Sequence, residues 1–120
     1  MRRPERVADT LREEITQIVG YELEDPRVAM VTVTDVRVSD DLRDASVYVT
    51  VAGDEAESLT AMRALRKAAP YVRRQLGFAL SLRHTPELHF VRDTIEEQGA
   101  RVDELLHTLE SQRAVEGKEE

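Results

Sequence analysis

The feature that most constrains this chain is a pair of β-type runs joined by a short polar turn. Ala45, Val47, Val49 and Val51 alternate with Ser46, Tyr48 and Thr50, and alternation of apolar and polar residues marks a strand with one buried face. Ahead of it, residues 28–38 form a second Val/Thr-rich run whose alternation slips phase near Asp35, as a β-bulge would make it do. Ser39-Asp40-Asp41-Leu42-Arg43-Asp44 lies between the two and is rich in turn formers. The spacing predicts a hairpin, and a hairpin with an apolar face must bury it against another layer.

The rest of the chain supplies that layer. Val7, Leu11, Ile15 and Ile18 recur at steps of four and three, which predicts a helix over residues 4–22 with Pro4 in its first turn and Asp25-Pro26-Arg27 as its break. After Gly53-Asp54, the residues Leu59, Met62, Leu65 and Ala68 or Ala69 give a helical stripe, and Val72, Leu76, Ala79 and Leu80 give another. Pro70 stands between them. Because proline lacks an N–H and crowds the preceding turn, two short helices meeting at a bend are expected there. Pro86 should open a short strand running to Asp93, beside the hairpin. Asp93 or Thr94 with Glu96 or Glu97 reads as a capping box, followed by a last helix with Ile95, Val102, Leu106 and Leu109 as its stripe. The expected fold class is α+β: a three-stranded sheet with helices on one face, in the order helix, strand, strand, helix, kinked helix, strand, plus a C-terminal helix. At 120 residues one domain is expected, residues 1–112, with residues 113–120 as a disordered tail. Val47, Val49, Leu65, Leu76, Leu88 and Phe90 should share one core.

Several kinds of chemistry are excluded or unsupported. With no cysteine there can be no disulfide, thiolate nucleophile, zinc finger or iron–sulfur cluster. No apolar run approaches the roughly 20 residues of a membrane-spanning helix. Met1-Arg2-Arg3-Pro4-Glu5-Arg6 has positive charge but no apolar stretch behind it, unlike a secretory signal, so a cytoplasmic location and no membrane partner are expected. The sequence has no glycine-rich phosphate loop and no nucleophile elbow, and its paired acids such as Glu13-Glu14 are adjacent in sequence. An enzyme is therefore not expected, nor a small-molecule substrate or cofactor. His84, Glu87 and His89 could be imagined as metal ligands, but strand geometry would point His84 one way and the other two the opposite way, so no metal is expected.

The charge distribution is the functional signal. The chain carries a net −7, yet residues 58–86 contain no acid and six basic residues, Arg63, Arg66, Lys67, Arg73, Arg74 and Arg83. A solvated helix face usually mixes signs, so an acid-free segment spanning a helix bend is better suited to phosphate. Arg makes up 15 of the 17 basic residues and suits bidentate phosphate contacts. Tyr71, beside the bend, is the one aromatic to consider for contact with a base or ribose, packing being the alternative, whereas Tyr48 and Phe90 are expected in the core. The candidate RNA-binding set is Arg63, Arg66, Lys67, Ala68, Ala69, Pro70, Tyr71, Arg73, Arg74 and Arg83. A different class, an α+β homodimeric or protein-interaction module using an open sheet edge, is the alternative reading.

Several segments, in order, resemble the ribosome-binding factor A family of bacterial small-subunit assembly factors. They are Leu23-Glu24-Asp25-Pro26-Arg27, Val31-Thr32-Val33-Thr34-Asp35-Val36, Ser39-Asp40-Asp41-Leu42, Ala45-Ser46-Val47-Tyr48-Val49, and Pro86-Glu87-Leu88-His89-Phe90 with Asp93. The resemblance covers nearly the whole chain. It implies a type II KH-like fold in which a kink of the form Ala-x-Gly replaces the usual loop between paired helices. Ala68-Ala69-Pro70 departs from that form, since proline bends the chain but has no N–H to offer a phosphate. The resemblance further implies a non-enzymatic, monomeric factor that binds the free 30S subunit and 16S rRNA. Such a factor supports maturation of the 16S rRNA 5′ end and late 30S maturation, and matters most in the cold.

Overall fold

The computed structural model describes residues 4–93, 109–110 and 112–113. Helix α1, Pro4–Gln17, runs into a single π-helical turn, Ile18–Glu22, in which Leu23 N–H reaches back to the Ile18 carbonyl at 3.2 Å. Its apolar stripe is as the spacing predicts: Leu11, Ile15 and Ile18 are fully buried. Asp25 then caps a 3-10 turn, Pro26–Val28, by accepting from the Arg27 N–H at 2.9 Å. This turn takes Val28 out of the expected strand, so strand β1 is Val31–Val38.

Strand β2, Asp44–Val51, pairs antiparallel with β1, and the register shifts between Val33 and Asp35. The phase slip near Asp35 is this bulge. It leaves Thr34 outside the ladder, where its hydroxyl donates to Asp93 Oδ2 at 2.7 Å. Strand β3, Glu87–Arg92, lies parallel to β2 on its other side, giving the sheet order β1-β2-β3. Ala45, Val47, Val49, Leu88 and Phe90 face both helices in one core with Leu65, Val72 and Leu76, so the six expected core residues do come together. The other face of β2 is not open to water as a one-sided hairpin would be. Asp44, Ser46 and Tyr48 are also buried, because β2 is the central strand and side chains of both neighbours flank it. Tyr48 packs with Val91 on this second face, apart from the main core.

Helix α2, Glu55–Leu80, is a single helix of 26 residues with Pro70 inside it. The two helices expected around Pro70 are thus joined. An internal proline costs about 3 kcal/mol, whereas burying Leu65 before it and Val72 and Leu76 after it stabilises by about 1.5 to 3 kcal/mol each. All three are at 0% exposure, so packing on both sides of Pro70 outweighs the lost hydrogen bond. The stripe shifts in part: Leu59 is 46% exposed and Ala79 is exposed, whereas Met62 is buried as expected and Ala61 and Ala64 are buried besides. A capping box starts the helix, with Glu57 N–H donating to Asp54 Oδ1 at 2.8 Å. Ser81 in the left-handed conformation ends it. Gly77 lies so close to Thr85 that a Cβ there would stand 2.8 Å from its hydroxyl, which explains a glycine in the last turns of α2. The expected capping box beyond Asp93, most of the last helix and most of the tail lie outside the described residues; Leu109, Glu110, Gln112 and Arg113 are helical.

Candidate nucleic-acid interface

Helical periodicity sorts the basic segment by face. With Leu65, Val72 and Leu76 turned into the core, Arg63, Arg66, Lys67, Pro70, Arg73 and Arg74 fall on the solvent side of α2, and all six are exposed. Arg83, beyond the helix end, is exposed too, and Tyr71 is 39% exposed. Ala68 and Ala69 are half-buried against the core. They set the closeness of helix to sheet, and offer little surface of their own.

One wall of an open groove of about 510 Å³ is made by Arg66, Ala69, Pro70 and Arg73; the other is β3 from Glu87 to Val91. β3 is an edge strand, so backbone and side chains along it border this groove. The contribution of β3 is the part that composition could not reveal, because an acid-free segment draws the eye to α2 alone.

The six cations are not equivalent. Arg73 donates from Nε and Nη2 to the Thr85 carbonyl at 3.0 and 2.8 Å, which ties α2 to the loop before β3 and limits its reach. Arg63, Arg66, Lys67, Arg74 and Arg83 have no ion-pair or hydrogen-bond partner among the described residues. Three cations elsewhere are neutralised: Arg27 pairs with Asp25 at 2.7 Å, Arg37 with Asp35 at 3.1 Å and Arg92 with Glu55 at 2.8 Å. Side-chain hydrogen bonding from Arg27 holds the Asp25 carboxyl below its ordinary value, and Arg92 does the same to Glu55. The positive charge is therefore concentrated on the exposed side of α2, where no acid among the described residues pairs with Arg63, Arg66, Lys67 or Arg74, although Glu87 stands on the opposite wall of the groove.

A second polar cluster lies on the far face of the sheet. Asp44, 1% exposed, receives His89 Nε2 on Oδ1 at 2.8 Å and pairs through Oδ2 with Arg113 Nη1. Glu87 completes a trio with Asp44 and His89 whose ligand-type atoms lie within 4.8 Å of one another. The expectation drawn from strand geometry, with Glu87 and His89 on one side, meets here a third side chain, the Asp44 carboxylate from β2, that was not among the sequence candidates. His89 engages one oxygen of Asp44 and Arg113 the other, so the cluster ties β2 to β3 and to residue 113 and works as a clasp. Burial pushes the Asp41 carboxyl up, but hydrogen bonds from Ser39, the Arg43 N–H and Arg113 outweigh it and hold the group below its ordinary value. A carboxylate lowered in this way adds stability above its unfolded pKa and loses it as pH falls through the folded value, so the Asp41 arm of the clasp should weaken only in acid.

The clasp can be tested by truncation on either side of Arg113. Truncation after Gln112 removes Arg113 and leaves a buried carboxylate short of a partner, an expected loss of about 1 to 3 kcal/mol. Truncation after Arg113 should change stability by less than about 0.5 kcal/mol. Equal urea midpoints for the two truncated proteins would refute the clasp.

Comparison with known proteins places these features among relatives. The family model for ribosome-binding factor A matches residues 3–106. Ribosome-binding factor A of Solibacter usitatus (strain Ellin6076) is 45% identical over 119 residues, covering 99% of this chain and 94% of the relative. That of Desulfitobacterium hafniense (strain DSM 10664 / DCB-2) is 44% identical over 110 residues, with 92% and 88% covered. The crystal structure of ribosome-binding factor A from Thermus thermophilus superposes with a TM-score of 0.66 at 30% identity, over 74% of this chain and 94% of the other. A homology model of the Thermus thermophilus factor, fitted into the cryo-EM map of its complex with 30S, gives a TM-score of 0.53 at 32% identity, over 74% and 89%.

Proposed function

Since the chain belongs to the ribosome-binding factor A family, and has its KH-like α+β architecture, we propose that it is a non-enzymatic assembly factor for the small ribosomal subunit. It binds free 30S particles as a monomer and contacts 16S rRNA. The observation that carries this reading is the row of unneutralised cations on the exposed side of α2, Arg63, Arg66, Lys67 and Arg74, of which Arg66 also borders the groove bounded by β3. Phosphate oxygens are the natural partners of such a row, and Ala68, Ala69, Pro70, Tyr71, Arg73 and Arg83 frame it. Support for maturation of the 16S rRNA 5′ end, for late 30S maturation and for growth in the cold belongs to the same reading, and rests on the family resemblance. A cytoplasmic location accords with a ribosomal partner, and no helix among the described residues is long and apolar enough to cross a membrane.

The test is sedimentation of the tagged, full-length protein with free 30S subunits across a salt series. Binding through phosphates should fall steeply and linearly in log–log form. Binding that is indifferent to salt, or a stable dimer that ignores the subunit, would point instead to an apolar protein interface.

A further inference from the structure

We infer that the flank of α2 formed by Tyr71 and Phe78 is a stacking platform for unpaired RNA bases, so that the factor engages a single-stranded stretch of RNA alongside phosphates. This rests on the RNA-binding reading and adds the conformational class of the RNA. Phe78 is 73% exposed and Tyr71 39%, so the Phe78 ring gains little from the fold of its own chain and the Tyr71 ring keeps part of its surface open. The two lie seven residues apart, two helical turns or about 10 Å along the axis, on one side of the helix. Between them on the same side is Arg74, and one turn before Tyr71 is Lys67; both are exposed and without a partner among the described residues. The order is thus cation, ring, cation, ring.

Charge decides what such a surface fits. No acid occurs anywhere in residues 58–86, so an acidic polymer is favoured over an ordinary protein surface of mixed sign. Within nucleic acids, a duplex hides its base faces in the stack, whereas an unpaired strand presents them to aromatic side chains while its phosphates track a basic groove. This flank looks away from the groove between α2 and β3, since Arg66, Ala69, Pro70 and Arg73 turn toward β3. A strand lying along α2 would therefore place phosphates on Lys67 and Arg74, and bases on the two rings.

The experiment uses the full chain with two probes: a mixed-sequence RNA 12-mer without self-complementarity, and the same strand annealed to its complement. Phe78→Ala should leave the thermal midpoint unchanged and Tyr71→Ala should lower it only modestly, and each should lower affinity for the single strand about five-fold or more. Their salt slopes should equal that of the parent, because no phosphate contact is lost, whereas Arg74→Glu should flatten the slope. Tyr71→Phe should restore affinity. The chain has no Trp, so Phe78→Trp supplies a unique fluorophore whose emission should be quenched by the single strand and not by the duplex. If the parent binds the single strand with a steep salt slope but both alanine variants bind within two-fold of it, the platform is overturned and the basic surface stands. Loss of binding to 30S particles with binding to the single strand intact would assign the rings to a protein partner and likewise overturn it. A parent that binds no RNA overturns both readings.

Discussion

Reversing Arg63, Lys67 and Arg74 together to Glu is expected to abolish most of the affinity for the small subunit while leaving the protein folded. All three are exposed and lack partners among the described residues, so their loss removes no internal bond. If each neutralises one phosphate, the slope of log affinity against log salt should fall by about 2 to 3 in all, at roughly 0.7 to 0.9 per contact. Arg73 is left out of the set because its guanidinium already serves the Thr85 carbonyl, and its reversal would confound binding with a disturbed loop. A control reversal, Arg12→Glu on α1, should change both affinity and slope far less. Unchanged affinity and slope in the triple variant, with an unchanged melting midpoint, would mean that α2 shows its cations only to water.

The largest expected effect on stability is at Leu65. Its side chain is at 0% exposure in the core between sheet and helices, and truncation to Ala should cost about 2 to 5 kcal/mol, the spread reflecting how far the site can collapse. Leu59→Ala is the matched comparison. The two leucines fall on one stripe by sequence spacing, but Leu59 is 46% exposed, so its truncation should cost within about 0.5 kcal/mol. Urea unfolding of both variants decides it: similar losses at the two positions would place the buried face of α2 wrongly.

What the residues disclosed in advance depends on how local the cause is. The bulge in β1 was legible because an inserted residue breaks a period of two where it sits, at Asp35. The stripe of α1 was legible for the same reason. Pro70 misled, because a local rule against proline was opposed by three buried side chains whose contacts are with strands far along the chain. The exposed cations of α2 could be read from charge alone, whereas the β3 wall of the groove could not, since nothing in Glu87–Arg92 says that it ends up alongside Arg66 and Arg73. The clasp on Asp44 was hidden more deeply. Asp44 reads as a turn residue, and its burial follows from His89 and Arg113, 45 and 69 positions away. Phe78 could have been noticed, as it falls off the stripe of Val72 and Leu76 and on the side of Lys67, Tyr71 and Arg74.

The parallel pairing of β2 with β3 has a kinetic meaning. β1 and β2 meet across a short turn, but β3 can join only after the whole of α2 has been spanned. Contacts that close long loops are slow to be repaid, so the hairpin is expected early in folding and the docking of β3 late. In stopped-flow refolding, Val47→Ala should then slow folding, while Leu88→Ala should mainly hasten unfolding; the reverse pattern would invert the order. A chain emerging from synthesis would thus own its cations before it owned the groove beside Arg66 and Arg73, and the surface proposed for recognition would be the last part of the molecule to exist.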